Sequence, residues 1–93
     1  HYVDLVRREA ERQGLPAPVA DAVVHVESGY DPGAVGSVGE VGLMQIRPAT
    51  ASMLGFSGAA SALFVPETNI RFGVAYLAEA WRLAGGDLCM ALA

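Results

Sequence analysis

Glycine and proline divide this 93-residue chain into short segments whose apolar residues recur at helical spacing. The first segment predicts an amphipathic helix over residues 2–13, closed by Gly14. Pro16 and Pro18 then mark the start of a second helix over about residues 18–28, which is so rich in valine and alanine that it is apolar on most sides and is expected to be the buried helix. The pattern favours helices over strands.

The glycines and prolines of the remaining sequence predict a long loop followed by more helices. Five glycines and a proline between Gly29 and Gly42 are too many for a regular element, and loops this long in small domains often carry function. Further along we predict a short helix over 48–54 ending at Gly55, a loop over 58–61, a long helix from Pro66 to Gly85 and Gly86, and a last helix capped by Asp87. An alternating pattern occurs only from Val41 to Ile46, so the fold class is all-α, or α with a small hairpin.

Charge and composition exclude several classes of protein. The net charge of -4, with no cluster of lysine or arginine, argues against nucleic-acid binding. Charges interrupt every apolar stretch before the roughly 18 residues that would cross a bilayer, and residues 1–14 lack the features of a secretory signal. The single cysteine, Cys89, rules out an internal disulfide and is expected to be a small buried hydrophobe, so we predict no metal and no cofactor.

Glu27 lies at the end of the most apolar helix. Val23 and Val24, one turn earlier, are expected to surround its carboxylate with apolar packing. Desolvation and the negative end of the helix dipole would both raise its pKa, as a general acid requires. The alternative is a surface glutamate at a frayed helix end.

The loop after Glu27 ends in an apolar run that contains one amide, Gln45. A buried glutamine needs hydrogen-bond partners, and its donor and acceptor would match the N-acetyl group of a sugar. Gly39 and Gly42 would let the backbone approach such a ligand closely. The alternative is a buried strand in which Gln45 bonds to the main chain.

Three groups of residues together resemble the soluble lytic transglycosylase domain, in the right order and spacing over residues 20–93. They are Glu27-Ser28-Gly29-Tyr30-Asp31-Pro32, then Gly39-x-x-Gly42-Leu43-Met44-Gln45-Ile46-x-Pro48-x-Thr50-Ala51, and finally Asn69-Ile70-x-x-Gly73-x-x-Tyr76-Leu77. The resemblance implies one lysozyme-like helical catalytic domain over residues 1–93. It implies cleavage of peptidoglycan between N-acetylmuramic acid and N-acetylglucosamine, with a 1,6-anhydro product.

The resemblance also implies the roles of individual residues. Glu27 would act first as acid and then as base, and Met44 and Gln45 would line the site for the N-acetylated sugar. We add further candidate substrate-binding residues, namely Tyr30, Ser37, Glu40 and Tyr76.

The chain departs from the family pattern at several positions. The family's usual serine nine residues after the catalytic glutamate corresponds to Gly36, with Ser37 one place late, and Glu40 and Arg47 replace a small residue and a methionine. A Tyr-Asn pair that relatives carry after the last helix is absent, so we expect the C-terminal part of the domain to be missing. These differences indicate a modified sugar site.

Two alternatives to a lytic transglycosylase remain open. One is a hydrolytic muramidase or chitinase-like enzyme in which Glu40 or Asp31 activates water, although Asp31 before Pro32 is more typical of a turn. The other is a glycan-binding module without catalysis. The expected location is the periplasm or cell wall, with an export signal outside this chain, and the expected partners are peptidoglycan glycan strands and a secretion or conjugation machine.

Several other side chains are expected to be structural. Phe72, Tyr76 and Trp81, at helical spacing, are more typical of a core than of a sugar platform. His25 is expected on the side of its helix without a catalytic role. Asn69 is expected to hold helix and loop together.

Overall fold

The computed structural model describes residues 1–87, and their regular structure is helical. The elements are α1 (Tyr2–Arg12), α2 (Ala17–Ser28), α3 (Pro48–Met53), a short 3-10 helix (Ala60–Phe64) and α4 (Pro66–Leu83). The predicted last helix after Asp87, and Cys89 within it, lie outside the described residues. Among residues 1–87 no helix is both long and apolar enough to cross a membrane.

The helix boundaries follow the glycine and proline signals. Gly14 follows α1 with a φ of 77°, and Gly29 ends α2 in the left-handed conformation with a φ of 62°. The backbone N–H of Gly29 donates to the carbonyls of Val24 and His25, at 3.1 and 3.0 Å, which satisfies the end of the helix. A proline lies in the first turn of α2, α3 and α4, where its missing N–H costs nothing. The predicted helices are therefore confirmed within residues 1–87.

Among residues 1–87 the core consists of two apolar clusters, and α4 contributes to both. The larger cluster joins α1, α2 and α4 with two residues of the loop before α3, and its buried members are Val6, Ala10, Leu15, Ala20, Val23, Val24, Leu43, Met44, Ile70, Val74, Leu77 and Ala78. The smaller cluster consists of Val41, Ile46, Ala51 and Leu63, with Phe56, Phe64 and Phe72 packed against it. Leu43 and Met44 thus anchor the glycine-rich loop in the main core.

The expectation that α2 is the buried helix is wrong. Ala20, Val23 and Val24 are buried, but Val26 is 79% exposed. Among the described residues α2 packs mainly against α1 and the loop before α3, so only one face of this helix is covered. Glu27 follows Val24 and Val23 by three and four residues, but its side chain at the end of the helix is exposed.

The glycine-rich segment between α2 and α3 is irregular but well hydrogen-bonded. Isolated antiparallel bridges pair Val41 with both Val35 and Ile46, and Gly42 N–H donates to the Ala34 carbonyl at 2.8 Å. The expected loop over 58–61 is partly wrong, because the 3-10 helix begins at Ala60. Burial of the whole Leu63 side chain in the smaller cluster gives this weakly patterned segment its structure.

Candidate active site

A groove of about 400 Å³ lies between the end of α2, the loop before α3, and α4. Its walls are formed by Val23, Glu27, Glu40, Met44, Gln45, Ile46, Arg47, Thr50, Gly73, Tyr76 and Leu77. Five of the seven site residues proposed from the sequence therefore share one groove, namely Glu27, Glu40, Met44, Gln45 and Tyr76. We call it the groove below.

Glu27 is the penultimate residue of α2, and its side chain is exposed on the wall of the groove. The expected apolar packing around its carboxylate is absent among the described residues. Val23, one turn earlier, does line the same groove, as do Met44 and Leu77 on the facing elements. The carboxylate therefore stands beside an apolar wall while remaining open to a ligand in the groove.

Asn69 of α4 fixes the loop that carries Met44 and Gln45. Its side chain is completely buried, and its amide nitrogen donates to the carbonyls of Val41 and Leu63, both at 2.8 Å. Its side-chain oxygen accepts the Met44 N–H at 2.8 Å. The amide group thus satisfies three buried backbone groups, as expected for a residue that joins helix and loop.

Met44 packs directly onto Gly73 of α4. A Cβ placed on Gly73 would lie 2.6 Å from the Cβ and 2.7 Å from the sulfur of Met44. Such distances are well below van der Waals contact, so only glycine lets the loop approach the helix this closely. Gly73, Tyr76 and Leu77 follow one another at helical spacing and form the α4 wall of the groove.

Gln45 has both of its amide hydrogens committed to the main chain. Nε2 donates to the carbonyls of Ala34 at 3.0 Å and Gly42 at 2.9 Å, within a backbone turn in which Gln45 itself has a φ of 50°. Two carbonyl acceptors define which end of the amide is the nitrogen. Gln45 therefore bonds to the main chain, as the alternative considered from the sequence proposed, and it also lines the groove. Its side chain offers the groove an oxygen acceptor.

Glu40 is half-buried in the groove and is held by backbone N–H groups. Its own N–H and that of Val38, at 3.0 Å, hydrogen-bond its carboxylate and lower its pKa, and the positive charge of Arg47 lowers the pKa further. The carboxylate lies over Gly36, where an added Cβ would be 2.7 Å from its carboxyl carbon and 2.9 Å from the Oε1 of Gln45. A side chain at position 36 would therefore have to displace the end of Glu40 or of Gln45.

The structure does not bring Tyr30 or Ser37 to the walls of the groove. The Tyr30 hydroxyl donates to Asp21 Oδ1 at 2.5 Å, and its ring meets His25 edge-on with centroids 5.0 Å apart. Burial, together with the bond to Asp21, raises the pKa of Tyr30. Ser37 is exposed in a turn and is not among the residues that line the groove. Tyr30 therefore stabilises α2.

Asp31 also lies outside the walls of the groove. Its Oδ1 accepts the Gly33 N–H at 2.9 Å, which is the turn role that the sequence favoured. The aromatic residues of α4 differ in their surroundings. Trp81 packs against the larger core cluster and Phe72 against the smaller one, whereas Tyr76 is 55% exposed in the groove. Core packing is confirmed for the first two and wrong for Tyr76.

Sequence reasoning did not propose Val23, Thr50, Gly73 and Leu77 as walls of the groove. Gly73 and Leu77 had a usable signal, because they share one face of a helix with Tyr76. Thr50 lies in the first turn of α3, next to Arg47 on the rim. Its position depends on how α3 packs, which the local pattern does not define.

Comparison with known proteins gives consistent matches in sequence and in structure. Residues 4–93 match the family model described as the transglycosylase SLT domain. The chain is 39% identical over 84 residues to the membrane-bound lytic murein transglycosylase C of Edwardsiella ictaluri, which covers 83% of this chain and 23% of that protein.

Two solved structures show the same fold. The 70 kDa soluble lytic transglycosylase from Escherichia coli superposes with a TM-score of 0.85 and 31% identity over 95% of this chain and 15% of the other. An inactive glutamate-to-glutamine mutant of the lytic transglycosylase Slt from Pseudomonas aeruginosa gives a TM-score of 0.81 and 33% identity over 89% and 14%. This chain thus spans less than a quarter of each of these proteins. It belongs to the transglycosylase SLT domain family and has the lysozyme-like helical fold of that family.

Proposed function

We propose that this domain cleaves the β-1,4 bond between N-acetylmuramic acid and N-acetylglucosamine in peptidoglycan, with Glu27 as the single acid and base. The observation that carries the proposal is the position of Glu27 in one groove with Met44, Gln45 and Tyr76. Family membership supports it, as do relatives named as lytic murein transglycosylases. The inactivity of a glutamate-to-glutamine mutant in the Pseudomonas aeruginosa relative is consistent with one essential carboxyl group.

The proposed reaction needs one proton donor that a glycan can reach. Glu27 donates its proton to the glycosidic oxygen, and the bond from that oxygen to C1 of muramic acid breaks. The acetamide oxygen of the same sugar stabilises the cation at C1, so no carboxylate nucleophile is needed. The Glu27 carboxylate then takes the proton of the C6 hydroxyl as O6 bonds to C1. The product is a 1,6-anhydro sugar, no water is consumed, and Glu27 is again protonated.

A hydrolytic reaction is the second candidate, because Glu40 places another carboxylate in the groove. Backbone N–H groups favour its ionised form, which suits a group that accepts a proton from water better than one that donates. Asp31 is a weaker candidate because its carboxylate is engaged in a turn outside the groove. A mainly hydrolytic product that disappears in Glu40→Gln would favour this second candidate.

The substrate sets where the enzyme would act. Peptidoglycan lies in the cell wall, and the relatives are named as murein transglycosylases, one of them membrane-bound. We therefore propose action in the periplasm or cell wall on glycan strands.

Replacing Glu27 by glutamine tests the proposal. Glu27→Gln keeps the shape of the side chain but cannot donate a proton, so the cleavage rate should fall by about 100- to 10,000-fold. Since the side chain is exposed, the melting temperature should stay within a few degrees of wild type. The matched control is Glu11→Gln, another exposed helical glutamate outside the groove, which should leave both quantities unchanged. Near wild-type cleavage by Glu27→Gln would reject Glu27 as the acid.

A further inference from the structure

The corner of the groove formed by Glu40 and Gln45 exposes acceptors rather than donors. The amide hydrogens of Gln45 are bonded to the carbonyls of Ala34 and Gly42. The Glu40 carboxylate has acceptors only, and its Oε1, which accepts the Val38 N–H, lies with the Oε1 of Gln45 around the same point above Gly36. We call these two side chains the acceptor corner.

An N-acetyl group matches this corner poorly. Its N–H could donate to one of the oxygens, but its carbonyl oxygen would meet a carboxylate and an amide oxygen with no donor between them. A protonated amine has three donors and a positive charge, and it satisfies several acceptors at once. The chemistry of the corner thus favours a cationic donor group.

We propose that the acceptor corner recognises a glucosamine unit whose amino group is free, so that the enzyme prefers glycan strands that are N-deacetylated at glucosamine. This inference rests on the proposed function for the identity of the glycan. The amine is assigned to glucosamine rather than to muramic acid, because the proposed reaction uses the acetamide of muramic acid. Glu40 is then the specificity-determining residue and Gln45 its neutral partner.

The surroundings of Glu40 keep it available for this role. Backbone N–H groups of residues 38 and 40 orient the carboxylate and favour its ionised form, yet the side chain stays half-exposed in the groove. Arg47 lines the same groove, and its positive charge acts on Glu40. The same charge would repel the proposed cationic ligand. Replacement of Glu40 or of Arg47 should therefore change amine recognition in opposite directions.

A binding experiment tests the proposal without requiring cleavage. The Glu27→Gln protein, which lacks the proposed catalytic acid, is used so that the ligands are not cleaved. It is titrated with the glucosamine tetramer and with the N-acetylglucosamine tetramer, at mildly acidic pH where the sugar amine is protonated. We expect the amine form to bind more tightly, and Glu40→Gln in that background to reduce the ratio of the two affinities by about tenfold, the order of one hydrogen bond to a charged group. Arg47→Gln should raise the ratio.

Control variants separate a local contact from a general effect of charge. Glu40→Asp keeps the charge but withdraws the carboxylate by one methylene group, so a local contact predicts that the ratio falls here as well. Glu11→Gln removes a negative charge outside the groove and should leave the ratio unchanged. Thermal unfolding confirms that each variant is folded, and Arg47→Gln remains an independent test if a Glu40 variant is not.

Two results would overturn the proposal. The first is equal or tighter binding of the N-acetylated tetramer. The second is an affinity ratio that Glu40→Gln and Arg47→Gln both leave unchanged. Failure of the proposed function is a separate outcome, seen when wild type cleaves neither acetylated nor deacetylated peptidoglycan while the tetramers still bind as expected.

Discussion

Asn69 is the residue on which the loop of the groove depends most. Replacing it with alanine would leave the Met44 N–H and the carbonyls of Val41 and Leu63 without their partner in a fully buried place. Unsatisfied buried groups cost about 1–3 kcal/mol each, and partial relaxation of the loop would relieve part of that cost. We expect Asn69→Ala to lower the free energy of unfolding by about 3 kcal/mol, measured by denaturant titration.

The control for Asn69 is Glu67→Gln, an exposed change two residues earlier in the same helix. It should alter the free energy of unfolding by less than about 0.5 kcal/mol. A loss of under about 1 kcal/mol in Asn69→Ala would show that the loop holds its position without these three bonds.

Residue roles were predictable from the sequence where chemistry allows few alternatives. Asn69 was expected to hold helix and loop together, and its buried amide does so by bonding to the backbone of the loop. The sequence could not show that Tyr30 turns toward Asp21, because this depends on a left-handed backbone with a φ of 63° at Tyr30 itself. Nor could it show that the donors of Gln45 are already used. Hydrogen-bond partners are selected by tertiary contacts, which the local pattern does not contain.

At the scale of elements, the contact between α4 and the loop depends on Gly73. Alanine is favoured over glycine inside a helix by about 1 kcal/mol, but here its Cβ would overlap the side chain of Met44. Overpacking of this kind costs about 1–3 kcal/mol, so the clash should outweigh the gain in helix propensity. We expect Gly73→Ala to lower both the melting temperature and the cleavage rate, since Met44 and the groove must shift.

A double variant identifies the cause of that loss. Met44→Gly removes the Cβ, Cγ and sulfur that a new Cβ would meet, so Gly73→Ala should cost less in the Met44→Gly background than in wild type. Additive effects of the two changes on the free energy of unfolding would contradict direct contact as the cause.

The elements themselves differed in how well the sequence predicted them. Helices α1, α2 and α4 have clear glycine or proline boundaries and apolar residues at helical spacing, and all three were predicted. The 3-10 helix Ala60–Phe64 was not, because its small residues have no strong local preference and burial of Leu63 supplies its stability. The exposed face of α2 was missed for a related reason. An apolar stretch does not reveal how many neighbours its helix has.

At the scale of the whole molecule, the net charge of -4 predicts how salt affects activity. Fully N-acetylated peptidoglycan carries carboxylates and no sugar amine, so with this substrate long-range attraction does not contribute and contacts with neutral sugar must supply the affinity. We expect cleavage to stay constant or rise slightly as ionic strength increases to about 0.15 M, because salt screens the repulsion. Turbidity assays over a salt series would measure this, with binding of the neutral N-acetylglucosamine tetramer as the salt-independent control. A steep fall with salt would indicate a cationic contact surface instead.

The sequence predicted the residues of the groove better than its shape. The motifs pointed to Glu27, Met44, Gln45, Glu40 and Tyr76, and these five share the groove. Its geometry depends on three segments far apart in the chain, joined through Asn69 and through Met44 on Gly73. Those long-range contacts decide which side chains face a ligand, and they become visible only in the folded chain.

The most direct test of the central claim is mass spectrometry of the fragments released from purified peptidoglycan. If Glu27 acts alone as acid and base, the C6 hydroxyl of muramic acid takes the place of water, and the fragments should end mainly in 1,6-anhydromuramic acid. Each would be lighter by one water molecule than the hydrolytic product, and Glu27→Gln should release almost none. Fragments with mainly reducing ends, or anhydro ends still released by Glu27→Gln, would contradict the account.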